Sequence, residues 1–255
     1  MIKFNKIGKL VAGAVLAMSS SVALADHVPG IAFNEKSFTI NPDAIGEAGC
    51  GGATCTATFL DFSYKAEVDQ TQTCATSASS SETGGGYFGT FRTSLGGPVV
   101  GGTGLNNNYS MYFVFTATGD TAPGGPGTID GTFSSFNYIM YVDRDMDTII
   151  SDAQAGSPDQ SIAVSGGNDD DVAVLMGTLR EGGFHIASGL ANGDFNVIAT
   201  AIALNGFFGG EAFESGAAFT DINGVNSIIR GVPVANPFAT TTDITITGSG
   251  NTSFE

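Results

Sequence analysis

Two segments of this chain alternate polar and apolar residues with a period of two, a pattern that fits a β-strand with one buried face and no helix. In residues 57–66, Leu60, Phe62 and Tyr64 stand opposite Phe59, Asp61, Ser63 and Lys65. In residues 131–142, Phe133, Ser135, Asn137, Ile139 and Tyr141 share one face, and Phe136, Tyr138 and Met140 share the other. Composition extends the inference to the whole chain. Gly, Ser, Thr, Asn and Asp abound, while Lys, Glu and Leu, which fill surface helices, are scarce. The 19 Phe and 6 Tyr supply more apolar mass than a disordered chain carries.

Further strands are expected at 37–40, 87–91, 109–118, 172–179, 183–187, 195–204, 227–230 and 243–247. Turn signals fall at Asn41-Pro42-Asp43 and Leu190-Ala191-Asn192-Gly193-Asp194. The stretch 119–127, with Pro123 and Pro126, is excluded from a strand interior. Residues 76–86, rich in Ser, Thr and Gly, are expected to form a mobile loop. About ten short strands of this kind predict an all-β fold: one antiparallel β-sandwich domain over 26–255, with a jelly roll among its forms. An outer-membrane barrel is the second architecture. Its expected signature, a chain ending on a terminal aromatic residue, is replaced here by Ser253-Phe254-Glu255.

Residues 1–25 have the plan of a secretory signal peptide. Lys3, Lys6 and Lys9 precede an apolar stretch, and Ala23-Leu24-Ala25 offers small residues for cleavage. Export to the outside of the cell or to its surface is therefore expected, and no later segment has the length and apolarity of a membrane anchor. Cleavage there removes three of nine basic residues and none of the 25 acidic ones, moving the formal charge from −16 to −19. Such a surface repels phosphate backbones and anionic lipid heads, which argues against nucleic acid and membrane surfaces as partners.

An oxidising compartment predicts one disulfide among Cys50, Cys55 and Cys74, with one thiol left over. The pairing is open; a bridge to Cys74 closes a loop of about 20 residues and contributes about 3 kcal/mol. The candidate metal ligands are Asp143, Asp145 and Asp147, with Asp152 as a further one. Carboxylates at every second position of a loop can converge on a hard cation such as calcium. The match to a twelve-residue calcium loop is incomplete, because Thr148 replaces the turn glycine and Gln154 the bidentate Glu. Asn168-Asp169-Asp170-Asp171 is a weaker cluster. Solvated turn acids are the competing reading of both.

Motifs for catalysis are missing: no GxSxG, HExxH, P-loop or GxGxxG precedes a helix. A Ser/His/Asp triad must use His185, which sits in an ordinary strand pattern. No catalytic residue and no organic cofactor is expected, and calcium is the one cofactor candidate.

Residues 131–136, 141–143, 171–179 and 189–195 together resemble the secreted, flocculation-associated proteins of the exosortase-sorted (PEP-CTERM) class of bacteria. The resemblance covers about half of the chain after residue 25 and rests on β patterns. It implies an extracellular, non-enzymatic protein of cell aggregation and of the polysaccharide matrix. The class's Pro-Glu-Pro motif, apolar helix and basic tail have no counterpart in Gly248 to Glu255. The expected partners are extracellular polysaccharide or further copies of the chain; Asn106, Asn107, Asn108 and Tyr109 suit sugar contact. A subunit of a fibre or surface layer is the alternative, and a secreted hydrolase the third.

Overall fold

The computed structural model describes residues 33–99, 101–151, 162–166, 170–187, 192–214 and 218–255. The proposed signal peptide, Asp152, Asn168 and Asp169 lie outside the described residues. In chain order the strands are β1 (Phe38–Ile40), β2 (Cys55–Ala57), β3 (Phe59–Cys74), β4 (Ser77–Arg92), β5 (Ser110–Pro123), β6 (Ile129–Asp143) and β7 (Ile149–Ser151). They continue with β8 (Ala163–Ser165), β9 (Val172–Ile186), β10 (Gly193–Ala203), β11 (Phe208–Gly209), β12 (Ala218–Arg230) and β13 (Thr241–Phe254).

The fold is all-β and antiparallel, as expected, but it is not a sandwich. Eight long strands close into a barrel in the order β3-β4-β5-β6-β9-β10-β12-β13, and β13 pairs back onto β3. Each strand neighbours the next barrel strand along the chain, so this is an up-and-down barrel. The closing ladder sets Leu60 against Thr252 and Tyr64 against Gly248. Alternation is the same for a sheet buried against a second sheet and for one rolled on itself, so the sequence pattern suits both.

Along β3 the inward residues are Leu60, Phe62, Tyr64, Ala66 and Val68, all buried. The outward set is Asp61, Ser63, Lys65, Glu67 and Asp69. On β3 an apolar inward side and a polar outward side are the reverse of a barrel strand that faces lipid. No helix among the described residues is long and apolar enough to cross a membrane.

The inward aromatic rings are accommodated by glycine. Seven inward Phe or Tyr residues stand directly across from an inward glycine of the neighbouring strand: Phe62–Gly250, Tyr64–Gly248, Phe113–Gly86, Phe115–Gly84, Tyr138–Gly177, Phe184–Gly131 and Phe195–Gly224. A Cβ placed on Gly84 would lie 2.1 Å from Phe115, and one on Gly131 would lie 2.1 Å from Phe184. No side chain fits there without moving a ring. The rings thus lie over the wall.

This pairing corrects the expectation of a loop at 76–86. Residues 77–86 form the first ten residues of β4, because Gly84 and Gly86 are seats for Phe115 and Phe113 rather than breaks. The strand β5 likewise runs through Gly119 and ends at Pro123, a terminal position that a missing N–H tolerates. A bulge opposite Thr118–Gly119 shifts the faces of β6. Phe133 therefore turns inward with Phe136, Tyr138 and Met140, although strict alternation sets it on the opposite face.

One barrel end is sealed by the three-stranded sheet β11-β1-β2 and its rings. Phe38 packs edge-on against Phe254 at 4.9 Å and Phe208 at 5.7 Å, and Phe207 packs edge-on against Phe208 at 4.9 Å. The Cys50–Cys55 disulfide lies here, with Cα atoms 5.3 Å apart. By loop-closure entropy so short a bridge contributes about 2 kcal/mol. Cys74 is free and exposed, at the other end of the sixteen-residue β3. That strand spans about 50 Å at the usual rise, which keeps Cys74 from both partners.

Replacing Gly84 by Ala is expected to cost about 1–3 kcal/mol in urea unfolding, and adding Phe115→Leu should recover part of that loss. Gly89, whose nearest neighbour to a built Cβ is 3.9 Å away, serves as control. Gly89→Ala should change stability by less than about 0.5 kcal/mol.

Candidate functional site

The ring-over-glycine arrangement leaves space along the barrel axis. A cavity of about 90 Å³ is walled by Phe62, Tyr64, Phe88, Phe113, Phe115, Phe133, Phe136, Tyr138, Met140, Phe184, Phe195, Val197 and Ile222. It runs from mid-barrel towards the end opposite the aromatic seal, where Val68, Ile129, Ile186, Ile229 and Ile244 line it. The β12–β13 connection lies over that end. Gln70 Nε2 donates to the carbonyls of Pro237 and Ala239, both at 2.8 Å, and Phe238 is buried with Ala78 and Ile129. Val232 and Pro237 of this connection reach the cavity itself.

Most polar groups in the lining are satisfied. The Tyr64 hydroxyl donates to Asn226 Oδ1, and the Tyr138 hydroxyl donates to Thr200 O at 3.0 Å. Ser80 donates to Gly119 O, Thr121 donates to Ala78 O, and Thr252 shares a hydrogen bond with Thr220. Burial holds both phenols well above the ordinary tyrosine range; at Tyr64 the nearby Glu82 carboxylate adds to the effect.

Glu82 is the exception. It is the one carboxylate among the lining residues, set between Val68 and Ala117 in the ladders, and no hydrogen bond or ion pair joins it to any described residue. It is half-buried because it faces the cavity, and burial raises its pKa from 4.5 to about 7. Sequence reasoning missed Glu82 because it lies in the segment taken for a loop. The available signal was the period-two set Ala78, Ser80, Glu82, Gly84, Gly86 and Phe88.

The acidic candidates gather at the sealed end. Ligand oxygens of Asp143, Asp145 and Asp147 lie within 4.8 Å of one another, close enough to hold a metal ion. Asp143 is fully buried and shapes the loop: Oδ1 accepts from the Met146 N–H at 2.7 Å, and Oδ2 accepts from Ser110 Oγ and the Thr148 N–H. Met146 takes φ +61°, a left-handed turn that a side chain rarely adopts. Burial works to raise the Asp143 pKa, yet these donors outweigh it and leave the carboxyl below its usual range.

Of the second acidic cluster, Asp170 and Asp171 approach the first. Asp171 accepts from the Tyr112 hydroxyl at 2.6 Å and from Thr148 Oγ1. Its pKa is raised by burial and then by the charges of Asp143 and Asp170; that of Asp145 is raised by desolvation, then by Asp147 and Asp170. The one cation within the loop, Arg144, is paired with Glu47 at 2.9 Å.

His185 lies on the outer wall, where its Nδ1 is 2.6 Å from Asp130 Oδ1. Both side chains are exposed, and no hydroxyl or thiol bonds the ring among the described residues. The described residues therefore assemble no Ser/His/Asp triad. A comparison with protein-family models, curated proteins and solved structures finds no match to this chain.

The raised pKa of Glu82 makes stability depend on pH. The folded state holds this proton more tightly than the unfolded chain, so its contribution is complete below about pH 4.5 and is lost as pH rises through about 7. Glu82→Gln should leave the melting temperature unchanged at pH 4.5 and raise it at pH 8. The gain has an upper bound of about 3 kcal/mol.

Proposed function

We propose that this chain is a non-enzymatic extracellular binding protein that takes a small apolar molecule into its barrel. The supporting observation is the aromatic cavity, closed by Phe rings at one end and bounded at the other by a loop held through side-chain contacts. An eight-stranded barrel is just wide enough to be filled by side chains or to hold one small ligand. Here the glycine seats favour the second outcome. The space is well below the roughly 300 Å³ at which pockets for drug-sized ligands begin. It suits a slender chain or a single ring, entering past the 231–240 connection. The Cys50–Cys55 disulfide is consistent with an extracellular protein. 1-Hexanol should bind with a measurable heat in titration calorimetry, and Ile222→Phe, which adds a ring to the lining, should remove that heat while the circular dichroism spectrum is kept. A wild-type protein that takes up no 1-hexanol, nor any other slender apolar probe, rules the reading out.

A second reading rests on the sealed end. Five carboxylates, Asp143, Asp145, Asp147, Asp170 and Asp171, lie together there, with Arg144 already engaged by Glu47. Such a site suits calcium, and the polar outer wall suits contact with extracellular polysaccharide or with neighbouring copies, in keeping with the resemblance to flocculation-associated exosortase-sorted proteins. Barrel closure leaves its eight strands without a free edge. Edge-to-edge assembly into a fibre or surface layer would then have to use the small sheets β11-β1-β2 and β7-β8. Millimolar calcium should raise the melting temperature of the wild type by several degrees relative to EDTA, and Asp145→Asn with Asp147→Asn should abolish the increase. Identical melts in calcium and EDTA would remove the cation from this reading.

A further inference from the structure

We propose that the barrel interior selects a small primary amine with a slender apolar body, held by its ammonium group at Glu82. The inference rests on the reading of the barrel as an apolar binding site and gives the class of its ligand.

A carboxyl group inside a ring-lined cavity is costly unless it is paired. The side chains of Tyr64, Gln70, Ser80, Thr121, Tyr138 and Thr252 along this wall have partners within the protein, whereas Glu82 has none among the described residues. Its hydrogen-bonding capacity is left for something that enters the cavity. A carboxylate only accepts, so its partner must donate. A metal ion is a poor match, since a hard cation requires six or more oxygens and the lining offers one carboxylate. An ammonium group requires a few acceptors and neutralises the charge.

Three features around Glu82 suit the same ligand. Tyr64 lines the same cavity as Glu82, and the faces of Phe and Tyr residues attract a cation. The Asn226 carboxamide, which accepts from Tyr64, has an NH2 without a hydrogen-bond partner among the described residues, so this wall offers both a donor and an acceptor. The rest of the lining, from Phe113 and Phe136 to Ile244, is apolar and receives the body of the ligand. Outside, a chain with 25 acidic and 9 basic residues draws cations towards itself and repels fatty acids and other apolar anions.

The test is titration calorimetry at pH 8 with n-hexylamine and 1-hexanol, which differ in one polar group, on the wild type and on Glu82→Gln. The wild type should bind the amine at least tenfold more tightly than the alcohol. Glu82→Gln should lose the preference and bind the two probes with similar affinity. Methylamine, which lacks the apolar body, should not bind measurably to either protein. Equal affinity for amine and alcohol in the wild type overturns the proposal and leaves interior binding standing. A preference that survives in Glu82→Gln also overturns it, since the amine is then held by the acidic exterior. Failure of the wild type to bind either probe overturns this proposal, and failure with every other slender apolar probe removes the binding reading as well.

Discussion

Seven aromatic rings laid over seven glycines hold this barrel in its shape. A phenyl ring directed inward from every strand would crowd the axis of so narrow a cylinder. A glycine directly across the ladder gives each ring a place against the wall. The gain comes from contact between ring face and backbone, and from covering a strand glycine that would otherwise expose peptide groups and add chain entropy to the unfolded state. The arrangement explains why a protein with 37 glycines and 19 phenylalanines forms long regular strands.

The same arrangement divides the molecule into two ends with different chemistry. At one end the rings are no longer seated singly. Phe38, Phe207, Phe208 and Phe254 meet edge to face and close the barrel as a solid core does, with the disulfide nearby and the acidic loops outside. At the other end the covering is a loop, attached through Gln70 and Phe238. Strength of closure is thus unequal. One end is closed by packed rings and the other by a loop held at two points, and the acidic groups lie outside the first.

The alternation in residues 57–66 and 131–142 made β3 and most of β6 legible, down to which side of β3 is buried. Barrel closure was not legible, because the inward face of a strand looks alike whether it meets a second sheet or the far side of its own. Phe133 was misplaced because a bulge in the β5–β6 ladder leaves no mark in the local pattern. The segment 77–86 was lost for a deeper reason. Glycine has no side chain to signal its direction, so the roles of Gly84 and Gly86 exist only in their cross-strand neighbours Phe115 and Phe113. Glu82 was lost with them. The acidic candidates fared better, since short-range spacing brings Asp143, Asp145 and Asp147 together, but the approach of Asp170 and Asp171 depends on the adjacency of β6 and β9. Among the cysteines, spacing alone could not show that β3 carries Cys74 to the far end from Cys55.

Closure of the barrel also sets the order of events during folding. The seam joins β3 to β13, so Leu60 waits for Thr252, almost the whole length of the described chain later. Hairpins between successive strands can form as soon as both members are present. The interior, however, does not exist until the final strand docks, and the loop-closure entropy for that step falls on a single late contact. Until then the inward phenylalanines are open to water and to other chains. Folding should therefore be slow for a protein of this size, and a chaperone that shields apolar strands has its longest opportunity before that last ladder is made.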